Sequence, residues 1–67
     1  MSESLGEAFP REQARVREIL GYYKEIGPAG AFGVALIEDI LRRADRAAIS
    51  GDVVEMIRVY KEMQGVE

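Results

Sequence analysis

The residues of this chain best suited to chemistry are glycines set beside a few cations and rings. The run Gly27-Pro28-Ala29-Gly30-Ala31-Phe32-Gly33 places a glycine at every third position. Glycine lets backbone approach backbone, or backbone approach a ligand. A helix start presents unpaired N–H groups and the positive end of the macrodipole. A helix beginning in this run would therefore suit an anion such as a phosphate or a carboxylate. Lys24 lies one turn earlier and supplies charge, and Tyr22 and Tyr23 offer faces for a base to stack on. Arg42 and Arg43, with Arg46, sit too far along the following helix to serve their own glycine run. They would reach it from a neighbouring subunit. The expected ligand set is thus Tyr22, Tyr23, Lys24, Gly27, Gly30, Ala31, Phe32, Gly33, Arg42 and Arg43. The same residues also admit a packing role, with Gly27 as a helix cap, Gly30 and Gly33 as points of close helix contact and Phe32 as a core plug. The run is no dinucleotide fingerprint, because its spacing differs and no strand precedes it. It is no P-loop either, because no Lys-Ser or Lys-Thr follows.

Catalysis has less to draw on. The sequence contains no His and no Cys, which removes the commonest general base, the thiol nucleophile, the His/Cys metal site and the disulfide framework. Ser2, Ser4 and Ser50 have no His partner. Glu38 and Asp39 are adjacent, so a helix points them about 100° apart, away from a carboxylate dyad. Their spacing pairs them instead with Arg42 and Arg43, four residues on. The expectation is a non-enzymatic protein with no metal and no cofactor.

Three helices position these residues. Pro10 suits a first helical position, and Val16, Ile19, Leu20, Tyr23 and Ile26 recur at helical spacing from it. The spacing predicts a first helix over 10–26, preceded by a lead-in at 1–9 that frays, although Ser4 and Glu7 stand at capping-box distance. Gly21 inside this helix costs about 1 kcal/mol relative to Ala and suggests a second helix lying close. Gly27-Pro28 is a stop signal. A second helix over 29–49 carries the stripe Gly33, Ile37, Ile40, Leu41, Ala44 and Ala48, widened by Leu36 and Ala47. Asp52 and Glu55 then cap a third helix over 52–64, with stripe Val53, Met56, Ile57, Tyr60 and Met63, ended by Gly65. Short links make consecutive helices near antiparallel neighbours, the second and third forming a hairpin with the first packed across it.

Composition sets the frame for this all-α domain. Sixty-seven residues are one domain at most, with a marginal core. Apolar residues make up 48% and charged residues 31%, so the chain is globular rather than disordered. The net charge of -3 argues against binding DNA, RNA or an anionic membrane through bulk electrostatics. Its longest apolar stretch is far short of the ~20 residues of a membrane helix. The acidic start does not match a secretory signal, which points to the cytoplasm. Val34, Val54, Val59 and Tyr22 fall off the three stripes. As a set they suggest a second contact surface and a homo-oligomer.

The stretch Gly27 to Glu38, then Leu41-Arg-Arg-Ala-Asp, then Ser50 to Met63, resembles small phage- and prophage-encoded helical proteins over about residues 20–64. The resemblance implies an accessory protein in the host cytoplasm that antagonises host defence or regulation by binding. The sharpest expectation is an oligomer that sequesters a phosphate-bearing small ligand, such as a cyclic nucleotide signal. The alternatives are an inhibitor that contacts a host protein through Val54, Val59 and Tyr22, and a purely structural self-assembling component.

Overall fold

A computed structural model describes residues 3–67. Among them the chain forms three α-helices and one short 3-10 turn. The helices are α1 (Leu5–Ile26), α2 (Ala31–Ser50) and α3 (Val53–Gln64), and Gly27–Gly30 makes the turn between α1 and α2. The local signals explain the boundaries. The Ser4 hydroxyl accepts from the Glu7 N–H, capping the helix, and donates to the Glu7 carboxylate. Gly27 closes α1 at φ 82°, with its N–H on the Lys24 carbonyl. That positive φ is costly for any residue with a side chain. Gly51 closes α2, and the Asp52 carboxylate accepts from the Glu55 N–H at 3.1 Å to open α3.

The start of α1 departs from the sequence expectation. The helix begins at Leu5 rather than Pro10, so most of the expected lead-in is helical, and Met1 and Ser2 lie outside the described residues. Pro10 sits inside the helix, where it cannot bond the Gly6 carbonyl. Burial offsets that loss: Phe9 is only 1% exposed and stacks on Tyr60, with ring centroids 6.5 Å apart.

Cross-links between the helices give their directions. Arg17 binds Asp45 and Lys24 binds Glu38, so α1 and α2 run antiparallel. Arg43 binds Glu62 across the α2–α3 hairpin. Phe9 meets Tyr60, Arg15 meets Met63 and Val66, and Tyr23 meets Glu67, so α1 and α3 run parallel. The bundle is therefore up-down-up. Its core joins Phe9, Val16, Ile37, Leu41, Ala44, Val59, Met63 and Val66, with Leu5, Ile19, Leu20, Tyr23, Ile40, Met56 and Tyr60 packed around it.

Two stripes sit differently from expectation. On α3 the buried side is Val59 and Met63, continued by Val66, while Val53 and Ile57 face solvent. Val59 is thus a core residue and no surface anchor. On α2, Ala47 is buried as the widened stripe implies, while Ala48 is exposed. Gly21 faces open space, so no helix crosses there. Ile26 and Phe32 are exposed rather than buried.

Candidate functional site

The three helices differ in length, and that difference builds the site. At 1.5 Å per residue, α1 and α2 span about 33 and 30 Å, and α3 only about 18 Å. The α1–α2 pair therefore projects past the end of α3. The molecule measures 38 × 25 × 16 Å, with a radius of gyration of 12.4 Å. A rounder chain of this length would have about 10.9 Å.

The helix sides that face α3 continue beyond its end. On α1, Arg15 donates to the Met63 and Val66 carbonyls of the α3 terminus. Tyr22 and Ile26 follow Arg15 along the same side at steps of seven and four. On α2, Arg43 holds Glu62 of α3 at 2.7 Å. Ile40, Leu36 and Phe32 precede Arg43 on that side at steps of three, four and four. Among the described residues, Tyr22, Ile26, Phe32 and Leu36 on these stripes are all exposed. Leu36 also borders an open groove of about 490 Å³, and Tyr22, Ile26 and Phe32 lie outside its lining. Its walls are Tyr23, Gly33, Leu36, Ile37 and Ile40, and its floor is Glu62, Gly65, Val66 and Glu67.

Two interactions fix that floor. The Arg15 guanidinium bridges two terminal carbonyls of the α3 end, where a cation also complements the helix dipole. Glu12 orients Arg15 at 2.8 Å, and that bond pushes the Arg15 pKa further up. The Tyr23 hydroxyl donates to the Glu67 carbonyl at 2.9 Å.

Tyr23 also explains two glycines of the run. A Cβ on Gly30 would collide with the Tyr23 carbonyl oxygen, and a Cβ on Gly33 would come 2.5 Å from the Tyr23 ring. Both glycines are close-approach points between α1 and α2. Their hydrogens face Tyr23, and the ring in turn forms a wall of the groove.

The ten residues of the expected ligand set are only partly brought together. Tyr23, Gly30 and Gly33 meet. Tyr22 and Phe32 project outward, and the Tyr22 hydroxyl donates to Glu18, whose carboxylate raises the phenol pKa. Gly27 and Ala31 lie in the turn and the first residue of α2. The cations are each held by carboxylates. Lys24 pairs with Glu38 at 3.6 Å, Arg42 with Asp39 at 3.6 Å, and Arg43 with both Asp39 and Glu62. The paired Glu62 hydrogen bonds push the Arg43 pKa up, and Arg43 in turn lowers the Glu62 pKa. The arginines also diverge. Arg43 and Arg46 line a hollow with Asp52 and Glu55, whereas Arg42 lines another with Leu20, Glu38 and Asp45.

Sequence reasoning missed Ile26, Leu36, Ile40, Val66 and Glu67 as parts of one surface. Leu36 and Ile40 were placed in the core stripe, and no local signal marks where a third helix stops covering the other two. One signal was available: residues 26–37 form the longest stretch of the chain without an ionisable side chain. Among the described residues no cluster of carboxylates is arranged to hold a metal ion, and no helix is long and apolar enough to cross a membrane. Comparison of the chain with protein-family models, with curated proteins and with solved structures finds no match.

Proposed function

We propose that this chain is a non-enzymatic binding protein whose working surface is the groove past the end of α3, and that it takes an apolar helical surface there. One observation carries the reading: the α3-facing stripes of α1 and α2 stay apolar after α3 ends. Tyr23, Leu36, Ile37, Ile40 and Val66 give the groove a mainly apolar lining, the usual setting for helix-in-groove recognition. Contiguous exposed apolar surface of this kind marks interaction sites. The resemblance to phage-encoded helical proteins makes an accessory, host-directed role the fitting context.

Capture of a phosphate-bearing small ligand is the competing proposal. The uncapped start of α2 favours it. The pairing of Lys24, Arg42 and Arg43 with carboxylates weighs against it in a single chain, because each cation would have to leave an ion pair first. An oligomer that realigned the arginines would restore it.

Native mass spectrometry separates the two. The protein is mixed with a cyclic mononucleotide, and separately with an amphipathic helical peptide carrying an i, i+3, i+4, i+7 apolar stripe. We expect peptide binding that Leu36→Glu removes, and no retained nucleotide. Saturable uptake of the nucleotide, lost on Arg43→Gln, would overturn the groove reading.

A further inference from the structure

We propose that the occupant of this groove is a second copy of the same chain, docked about a two-fold axis so that the projecting halves of both α1–α2 pairs form a four-helix core. The inference rests on the groove reading above and adds the identity of the occupant.

Area is the first argument. Tyr22, Ile26, Phe32 and Leu36 are 57, 59, 77 and 51% exposed. At roughly 200 Å² for each aromatic residue and somewhat less for Ile and Leu, they expose roughly 450 Å², the Tyr22 hydroxyl included. A standard stable interface removes about 800 Å² from each partner, of which about 57–65% is non-polar, or about 450–520 Å². The patch comes close to the apolar share that one copy must bring to such an interface.

Charge is the second argument. The turn and the start of α2, residues 27–37, bring no ionisable side chain into the contact, so charge enters it only from the groove floor, where Glu62 is already paired with Arg43 and Glu67 lies at the end. Lys24, Glu25, Glu38 and Asp39 are exposed and flank the patch, where an interface rim stays wet. Shape is the third. Each helix presents one large pair four residues apart, Tyr22 with Ile26 and Phe32 with Leu36. Ala29, Ala31 and Ala35 are also exposed at this end of the molecule. Two such hairpins laid antiparallel interdigitate as in a four-helix bundle. A two-fold contact uses the same patch twice, so one surface suffices.

Sedimentation equilibrium of the intact protein tests this, with circular dichroism to verify folding. The wild type is expected to be a dimer at roughly 100 μM, above the range of dissociation constants for an interface of this size. Phe32→Glu and Leu36→Glu change exposed positions, so helicity should persist while dimerisation weakens by roughly a hundredfold or more, as for a central anchor. The chain has no cysteine, so Leu36→Cys gives a clean second readout. A two-fold contact places both copies of it within one interface, and a bifunctional thiol linker should join them far faster than Ile49→Cys at the opposite end. A wild type that stays monomeric at that concentration overturns the second copy as occupant. The helical peptide's sensitivity to Leu36→Glu then still decides the groove reading. A dimer that survives Phe32→Glu and Leu36→Glu but is lost on Val54→Glu overturns this proposal and removes the groove as its contact surface.

Discussion

Phe9 and Phe32 lie toward opposite ends of the bundle and meet opposite fates. Phe9 is 1% exposed, held between helices and stacked on Tyr60, whereas Phe32 is 77% exposed beside the turn. The end holding Phe9 has three helices, and the end holding Phe32 has two. Where α3 is present, its Val59 and Met63, with Val66 just after it, complete the core. Where it has ended, equally apolar stripes on α1 and α2 face solvent. A bundle of unequal helices thus buries part of an apolar stripe in its core and leaves the rest of the same stripe facing solvent.

The two phenylalanines provide the strongest test of that division. Phe9→Ala should lower unfolding free energy by about 3–5 kcal/mol, the range for emptying a buried aromatic site. In urea titrations of a chain this small it should come close to abolishing the folded state. Phe32→Ala should leave the monomer within about 0.5 kcal/mol of wild type. Equal costs for the two would break the comparison.

Two glycines sharpen it next. Gly30→Ala forces a side chain onto the Tyr23 backbone and should cost about 1–3 kcal/mol, as overpacking does. Gly21→Ala enters open space in mid-helix and should gain about 0.5–1 kcal/mol from helix propensity. Thermal melts followed by circular dichroism should move in opposite directions. A Gly30→Ala variant as stable as wild type would show that the turn is looser than described.

A smaller effect is expected where the two ends join. Arg15→Met removes both hydrogen bonds to the α3 terminus. The side chain is 39% exposed, so the loss should be about 1 kcal/mol rather than the full strength of charged hydrogen bonds. Amide hydrogen exchange should speed up at Gly65 and Val66 and leave the middle of α2 unchanged.

Acid should give the smallest change. Arg43 holds the Glu62 carboxyl below its ordinary value of 4.5, so as pH falls the unfolded chain takes up the proton first. Stability from this pair is complete above the ordinary value and is lost as pH drops through the lower folded one. Both side chains are partly exposed, so the loss should stay below about 1 kcal/mol. Urea midpoints between pH 6 and about pH 3 should fall less steeply for Glu62→Gln than for wild type.

Much of this molecule was legible in single residues. Ser4 with Glu7, Gly27 before Pro28, Asp52 with Glu55, and Gly65 are signals read within one turn of backbone, and each acts where its spacing places it. Phe9 was missed because Pro10 reads as a helix start, while burial of Phe9 against α3 carries the helix through it. The candidate site was legible only in part. The glycine run does mark the contact between α1 and α2, yet the ion pairs that hold Lys24 and Arg43 involve Glu38 and Glu62, 14 and 19 positions away.

The sequence by itself determined the all-helical class, the caps and the lengths of α2 and α3, because these follow from propensity and hydrogen bonds closed locally. Tertiary structure alone decided which side of α3 is buried. Val53, Val54, Met56, Ile57, Val59, Tyr60 and Met63 surround much of that helix, so periodicity allows more than one buried side and packing against Phe9 and Leu41 selects Val59 and Met63. It also decided where the core stops. That boundary is the end of α3 measured against two longer neighbours, a distance in space that no local pattern in α1 or α2 encodes.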